Sequence, residues 1–412
     1  MAVWNGDIFA IRLVFVLCCI CLLARDVTAK CDLSNCIEPR CLCPSNVPPG
    51  QLQPPQVPQV VYFTFLGTMD ESKYKHIEDI FSEDLKNPNY CPVAATFFIG
   101  DFDTVASPVR KTNYTYVKKL YEMGHEVATT GTNIQYPVTW WHRAASADYV
   151  NEVVFQKIRI ATDAEINGDD IQGFRVPFLN NGGDAQFGML HDYNFTYDSS
   201  LVNGPYTLRD YQATSHSPLY PFTLDVPPDK KLCDITPVNC PSQSYPGLWE
   251  IPLNRIYGND GQACVAASDC NVRDTSDVFN FLVNNFNRNY RSNRAPLGIY
   301  LQIDWFKEKP FTLEGVKRFI RHVASKRDAW VITVSQLIDW MKSPMSPSRA
   351  ITFGAWRNSK LPCSRPQTYN SPNTNYVDHM GHRSSAIFIT KNSLLMATSF
   401  FLALGSQFFI AP

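Results

Sequence analysis

The chain has 412 residues, of which 45% are hydrophobic and 18% are charged, and its formal net charge is -1. This length and hydrophobic content suffice for one buried core of barrel size with appendages. The near-neutral charge gives no basis for binding nucleic acid or an acidic membrane surface. A polar, uncharged, sugar-like target fits the composition better.

The first 29 residues have the pattern of a secretory signal peptide. Arg12 precedes an apolar run from Leu13 to Ala24, and the small-residue site Val27–Thr28–Ala29 follows it. Such a segment is removed from the mature protein. The alternative is a membrane anchor, which is disfavoured because the run is short for a bilayer span. We therefore expect a secreted chain that begins at Lys30.

Ten cysteines remain after removal of the predicted signal, an even number typical of a disulfide framework in an oxidising compartment. Four of them lie in a Cys/Pro-rich segment, residues 30–56, which is predicted to form an N-terminal cap. Zinc binding by Cys41 and Cys43 is the alternative, and their Cys-x-Cys spacing disfavours it. The ten positions are Cys31, Cys36, Cys41, Cys43, Cys91, Cys233, Cys240, Cys264, Cys270 and Cys363. We expect five disulfides, whose pairing the sequence leaves open.

Residues 57–344 alternate between strand-like and helix-like patterns. The first strand is the apolar run Val60–Phe65, and apolar residues at helical spacing predict a long helix at Asp148–Ile166. This alternation predicts an α/β fold with a parallel sheet wrapped by helices, whose chemistry lies on loops at the carboxyl ends of the strands. The other predicted strands are Ala94–Ile99, Glu126–Thr129, Gly173–Pro177, Leu248–Pro252, Leu297–Gln302 and Ala329–Thr333.

Two further features lie on predicted loops of this domain. Residues 201–245 are turn-rich and, with 258–270, are interpreted as an insertion over the mouth of the barrel, where specificity usually lies. Asn113 and Asn194 each begin an Asn-x-Thr motif and are predicted N-glycosylation sites, provided that they are exposed.

The C-terminal part of the chain has the pattern of a stalk followed by a lipid-anchor signal. Residues 345–383 are rich in Ser, Pro, Asn and Thr, which predicts a solvated stalk. In residues 384–412, small residues beginning at Ser384 precede a short spacer and an apolar run, the layout of a GPI-anchor signal. A single membrane-spanning helix is the alternative, disfavoured because no basic tail follows. We expect GPI attachment at Ser384, which would place the protein at the cell surface.

Ordered blocks of sequence along residues 57–344 resemble one known family. The blocks are Ala95–Thr96–Phe97–Phe98–Ile99, Gly124–His125–Glu126–Val127–Ala128, Arg175–Val176–Pro177–Phe178–Leu179, Phe195–Thr196–Tyr197–Asp198–Ser199–Ser200, Tyr245–Pro246–Gly247–Leu248–Trp249–Glu250 and Asn293–Arg294–Ala295–Pro296–Leu297–Gly298. They resemble the polysaccharide deacetylases, carbohydrate esterase family four, and among these the arthropod chitin deacetylases. The resemblance implies an irregular (β/α) barrel with about seven strands.

The resemblance also implies a chemistry, which this chain departs from. In the family, zinc or a similar divalent ion held by one aspartate and two histidines activates water, an aspartate accepts the water's proton, and another histidine protonates the leaving amine. Here Leu66 stands at the base position, Gly67, Thr130 and Ile134 at the metal positions, and Gln302 at the acid position. Glutamine cannot donate a proton near neutral pH. We therefore predict no metal cofactor and no family catalysis.

Other family positions are retained. Arg175 matches the arginine that orients the base, and Asp198 matches the acidic residue of the Tyr-Asp-Ser-Ser block. Aromatic faces and hydrogen-bonding groups at strand ends are the usual means of holding an uncharged sugar. The predicted substrate-binding set is Arg175, Trp249, Tyr300, Gln302 and Trp305.

Three functions are consistent with these patterns. The first is non-catalytic binding of chitin or other N-acetylglucosamine glycans at an extracellular surface, with a lipid anchor in the membrane. The second is retained metal-dependent deacetylation, with an ion held by carboxylates from neighbouring loops, namely Asp70, Glu71, Asp101 or Asp103. The third is a structural or adhesion role, which would be indicated by an exposed apolar patch at the barrel mouth.

Overall fold

The computed structural model describes residues 31–364, apart from 33, 83, 102–111, 134, 234–238 and 358–359. The predicted signal peptide, the GPI-anchor signal with Ser384, and residues 365–383 of the predicted stalk lie outside the described residues. No helix in the described part of the chain is long and apolar enough to cross a membrane.

The centre of the fold is a curled sheet of nine strands, with four further short strands beside it. The strands in chain order are β1 Gln59–Gly67, β2 Thr96–Ile99, β3 Glu126–Thr129, β4 Gly173–Phe174, β5 Tyr197–Asp198, β6 Val202–Asn203, β7 Phe222–Thr223, β8 Trp249–Glu250, β9 Leu253–Asn254, β10 Ile256–Tyr257, β11 Ala263–Cys264, β12 Leu297–Gln302 and β13 Ala329–Val331.

Seven strands pair in parallel along this sheet, in the order β12-β1-β2-β3-β4-β5-β8. Strand β7 adds to β8 in antiparallel orientation, and β13 pairs in parallel with the first residues of β1. This arrangement confirms the predicted irregular (β/α) barrel with about seven strands. Among the described residues no strand pairing joins β7 to β12, so the barrel is open between these two strands.

Strand β1 is buried along its whole length because both of its faces meet apolar layers. Val61, Phe63 and Phe65 belong to the apolar cluster that includes residues of the surrounding helices. Tyr62 and Leu66 belong to a second cluster. Successive side chains of a strand point to opposite faces, so an almost continuous apolar run is what a central parallel strand requires.

Helices cover the outside of the sheet. They are α1 Glu71–Ile80, α2 Tyr114–Glu122, α3 Ser146–Tyr149, α4 Phe155–Asp163, α5 Asp184–Asp192, α6 Leu208–Ala213, α7 Thr275–Tyr290, α8 Trp305–Glu308, α9 Phe311–Ala324, α10 Val334–Lys342 and α11 Pro347–Ala350. The long helix predicted at Asp148–Ile166 is instead α3 and α4 joined by a π-helical turn at Val150–Val154. Such a turn is common at functional sites.

The cysteines pair as five disulfides, which confirms the predicted number. The pairs are Cys31–Cys43, Cys36–Cys41, Cys91–Cys363, Cys233–Cys240 and Cys264–Cys270. The first two close the N-terminal cap, which lies along the edge strand β7. Leu42 and Thr223 exchange hydrogen bonds there, since the amide of Thr223 donates to the carbonyl of Leu42 and the amide of Leu42 donates to Thr223 Oγ1. The cap thus covers a strand edge that would otherwise be open to pairing.

The described part of the predicted stalk, residues 345–364, is not a solvated stalk. It contains α11, and Trp356 is buried against Trp330 with ring centroids 5.3 Å apart. Cys363 is bonded to Cys91. The prediction that the stalk begins at residue 345 is therefore wrong, because an aromatic anchor and a disulfide fix this Ser/Pro-rich segment to the domain.

The predicted insertion leaves the sheet at its carboxyl edge. Strand β6 begins at Val202, shortly after β5 ends at Asp198, and pairs with β9. Strands β10 and β11 form a second small pair within the same region. The predicted insertion thus begins at the edge where the candidate site residues are found, but it is not only a loop over the mouth, because β7 lies within it and pairs with β8 in the sheet.

Candidate functional site

The family positions named above lie on neighbouring strand ends. In the sheet register Leu66 is opposite Gln302 on β12 and Phe98 on β2, and Ile99 is opposite Thr129 on β3. Carboxyl ends of parallel strands meet at one edge of the sheet, so Leu66, Gly67, Thr130 and Gln302 share that edge.

The predicted base position holds an apolar side chain that packs into the core. Leu66 is buried and belongs to the apolar cluster that includes Phe98, Ala128 and Trp249. The next residue, Gly67, has a φ of 142°, a backbone conformation that residues other than glycine rarely adopt. A Cβ built at Gly67 would meet no atom within 4 Å. The backbone at the metal position, and not only its side chain, therefore differs from what an aspartate would adopt readily.

Thr130 stands where the family has its first metal-binding histidine, and its hydroxyl has a hydrogen-bond partner within the protein. Thr130 is fully buried, and its Oγ1 donates a hydrogen bond of 2.7 Å to the carbonyl oxygen of Arg175. Ile134, at the second histidine position, lies outside the described residues. Neither threonine nor isoleucine offers the imidazole nitrogen that the family uses.

The loop after β3 is held by a carboxylate of the protein itself. Glu152, on the π-helical turn, is buried, and its Oε2 accepts a hydrogen bond of 2.8 Å from the amide of Asn133. Its Oε1 accepts one of 2.6 Å from Gln135 Nε2, and its carbonyl accepts from the amide of Thr132. These hydrogen bonds hold Thr132, Asn133 and Gln135 to the π-helical turn.

The residues at this edge do not fit the family's divalent ion. Among the described residues, ligand atoms of three or more His, Cys, Asp or Glu side chains converge only at Cys31, Cys36 and Cys43, which are in disulfides. The three alternative carboxylates that the structure describes, Asp70, Glu71 and Asp101, do not converge either, and each has another partner. Asp70 accepts from the amide of Lys73, Glu71 accepts from Lys75, and Asp101 accepts from Arg159. Asp103 lies outside the described residues.

Arg175, predicted to bind substrate, is instead part of the interior. It is fully buried, and its guanidinium donates to the carbonyl and Oγ of Ser199 and to Thr64 Oγ1, at 2.8–2.9 Å. The rings of Phe98 and Tyr300 lie 4.3 and 4.5 Å from its Cζ. The prediction that Arg175 contacts a sugar is therefore wrong, since every side of the guanidinium is occupied.

Two proteins from Bombyx mori are similar to this chain in sequence, while no family model matches it. Chitin deacetylase 1 is 30% identical over 338 residues, which are 79% of this chain and 59% of that protein. Chitin deacetylase 8 is 29% identical over 348 residues, 81% of this chain and 85% of that protein. The chain is a chitin deacetylase-like protein. It spans about three fifths of the length of the first of these relatives.

Among solved structures, the Puue allantoinase aligns with 72% of this chitin deacetylase-like chain and 95% of its own chain, with a TM-score of 0.44 and 16% sequence identity.

The chitin deacetylase-like protein also buries two carboxylates beside Arg175. Asp198 and Glu250 are opposite each other on β5 and β8, and both are fully buried. Gln186 and Ser200 donate hydrogen bonds to Asp198 Oδ1, at 2.8 and 2.9 Å, but Asp198 Oδ2 and Glu250 Oε2 have no hydrogen-bond partner among the described residues. Burial raises the pKa of Asp198 to about 7. Burial raises the pKa of Glu250, and the negative charge of Asp198 raises it further.

These raised pKa values predict that the domain loses stability as pH rises. The folded state holds protons that the unfolded chain releases above about pH 4, so this contribution is complete below that pH and is lost as pH rises through about 7. We expect the free energy of unfolding to fall by roughly 2–4 kcal/mol between about pH 5 and about pH 8, and the Asp198→Asn variant to show a flatter profile. Denaturant unfolding across this range measures it. The exposed Asp192→Asn substitution is the control, and a stability that rises with pH in the unmodified protein would contradict the assignment.

Two of the predicted sugar-stacking aromatics are core residues. Trp249 and Trp305 are 3% and 2% exposed and present no face to solvent. The prediction of a groove lined by them is therefore wrong, because they pack into the apolar clusters on the two sides of the sheet. Tyr300 and Gln302 are half-buried on one face of β12, and one side of Tyr300 is covered by Arg175.

Exposed aromatics at this edge occur on loops that the sequence analysis did not single out. Tyr136 and Val138, after β3, and Phe178, after β4, are 63%, 38% and 42% exposed. The rings of Tyr136 and Phe178 are in edge contact, with centroids 5.6 Å apart. We name these three residues the aromatic platform. Phe178 belongs to the Arg-Val-Pro-Phe block, but nothing in the sequence separates this ring from the buried aromatics around it.

Proposed function

We propose that this chitin deacetylase-like protein binds chitin or other N-acetylglucosamine glycans without hydrolysing them. The observation that supports this most directly is the end of β1. There Leu66 is packed into an apolar cluster, and Gly67 has a φ of 142°. A general base and a metal-binding carboxylate are both missing from the strand end where metal-assisted hydrolysis needs them.

The glycan is inferred from the relatives, both of which are named chitin deacetylases. A chain that keeps the fold of such proteins and loses the catalytic groups can still present a surface to the polysaccharide. Chitin is uncharged, which agrees with the net charge of -1. Binding is then expected to depend on aromatic faces and hydrogen bonds.

An extracellular location is part of this proposal. Five disulfides favour an oxidising compartment. Asn113 and Asn194, the predicted glycosylation sites, are both exposed. Attachment of a lipid anchor at Ser384 stays a prediction from the sequence, since that residue lies outside the described part of the chain.

A pull-down with the full chain, expressed in a eukaryotic secretory host, tests the proposal. We expect retention on chitin beads and little retention on cellulose beads, which lack the acetamido group. The same preparation is expected to release no acetate from chitin oligosaccharides and to give identical results with and without a chelator. Failure to bind chitin would exclude the binding function. Acetate release that a chelator abolishes would establish the deacetylase alternative instead.

A further inference from the structure

The aromatic platform of Tyr136, Val138 and Phe178 is exposed at the carboxyl edge of the sheet. Most large side chains of β1, β2 and β3 are buried, and the platform consists of residues on the two loops that leave β3 and β4. The two aromatic rings are inclined by 62° to each other, so each offers part of a face to solvent. Contiguous exposed apolar side chains are candidates for an interaction site.

The loop that carries Phe178 is held in a costly conformation. Phe178 and Leu179 have φ values of 57° and 55°, in the left-handed region that residues other than glycine seldom adopt. Backbone strain of this kind persists where the surrounding structure enforces it and is concentrated at functional sites. Here it turns Phe178 outward while Leu179 remains buried.

The loop that carries Tyr136 and Val138 is fixed to the Phe178 loop and to the domain. Asn180 Nδ2 donates a hydrogen bond of 3.1 Å to the carbonyl of Val138, which joins the two loops. Glu152 holds the preceding residues through the amide of Asn133 and the side chain of Gln135. The two rings are therefore preorganised, which lowers the entropy that a ligand would otherwise have to offset.

The chemistry of the platform favours an uncharged ligand with flat CH-rich faces. The carboxylate that holds its loop, Glu152, is buried and has both oxygens hydrogen-bonded, so it offers no free charge. Two aromatic rings at an angle match the faces of successive pyranose rings better than they match a broad aliphatic protein surface, because Val138 is the platform's only aliphatic member.

We propose that Tyr136 and Phe178 form a stacking site for pyranose rings of a β-linked N-acetylglucosamine chain. This inference rests on the proposed glycan-binding function and assigns the surface that performs it. It replaces the groove of Trp249 and Trp305, which the structure buries, with a surface on the loops after β3 and β4.

Alanine substitutions of the platform test this assignment. For the full-length protein we expect Tyr136→Ala or Phe178→Ala to weaken binding to chitin hexaose about fivefold, and the double variant to weaken it at least about tenfold. Tyr136→Phe is expected to bind like the unmodified protein, because it keeps the ring and loses only the hydroxyl. Tyr193→Ala is the matched control, since Tyr193 is 44% exposed and lies between α5 and the amino end of β5. Thermal unfolding of each variant verifies that the fold is intact.

The outcomes separate this inference from the proposed function. If the unmodified protein binds the oligosaccharide and the double variant binds equally well, the platform is not the glycan site, while the glycan-binding function stands. If the unmodified protein does not bind, both fail. If the double variant retains glycan binding but loses a protein partner, the platform is a protein-docking surface and the assignment is overturned.

Discussion

Replacing Arg175 by methionine is expected to destabilise the domain by about 3–5 kcal/mol. Methionine preserves apolar volume between Phe98 and Tyr300 but removes the hydrogen bonds to Ser199 and Thr64. It also removes the positive charge that favours the ionised form of Asp198. Buried polar groups left without partners cost far more than the net value of the original hydrogen bonds. Denaturant unfolding at neutral pH measures the loss.

Two further variants show whether the loss of stability comes from the guanidinium of Arg175. Arg175→Lys keeps the charge but cannot reproduce the planar, multiply bonded guanidinium, so we expect an intermediate loss. Arg273→Met is the matched control, because the Arg273 side chain is 80% exposed and forms an ion pair with Asp277. We expect little change in stability there. A stability of Arg175→Met equal to that of the unmodified protein would mean that the guanidinium is not the structural centre of this edge.

The charge of Arg175 near the buried Asp198 and Glu250 also predicts how the pH dependence of stability changes in the variant. Without Arg175 both carboxylates of the Asp198 and Glu250 pair are harder to ionise, so the pH at which stability is lost is expected to rise in the Arg175→Met variant. The destabilised protein should therefore be relatively more stable in mild acid than at neutral pH. A purely steric defect would not move this midpoint.

The parts of the fold that the sequence predicted well are those set by local patterns. β1 is an apolar run long enough to identify as a central strand, and the absence of ionisable groups at Leu66 and Gly67 can be read directly. The number of disulfides follows from the even count of cysteines that remains once the predicted signal peptide is set aside. Their pairing does not, because it depends on which chain segments the fold brings together.

The parts that the sequence predicted poorly depend on distant contacts. Trp249 and Trp305 carry the same side chain that a sugar site would use, and only packing against other strands and helices places them in the core. Phe178 has a left-handed backbone and an exposed ring, and Tyr136 on another loop contacts that ring; no residue pattern predicts this arrangement. Composition at residues 345–364 suggested a solvated stalk, yet the buried Trp356 and the Cys91–Cys363 disulfide hold this segment to the domain.

Removing the disulfide between Cys91 and Cys363 is expected to cost about 5 kcal/mol of unfolding free energy. The two cysteines are 272 residues apart, so in the chain-entropy model their link closes a very long loop in the unfolded chain. We expect the Cys91→Ser/Cys363→Ser double variant to unfold at much lower denaturant concentration than the unmodified protein. Serine at both positions avoids a free thiol, and unfolding under non-reducing conditions measures the difference.

A short-range disulfide provides the control for this prediction. Cys264 and Cys270 are only 6 residues apart, and their removal is expected to cost about 2 kcal/mol in the same chain-entropy model. The difference between the two double variants therefore reports how firmly residues 345–364 belong to the domain. One outcome is that removal of the Cys91–Cys363 link costs no more than removal of the short one, with Trp356 fluorescence showing exposure before global unfolding. In that case the segment separates locally and its docking does not stabilise the barrel. If Trp356 becomes exposed in the same transition in which the barrel unfolds, the segment is an integral part of the folded unit.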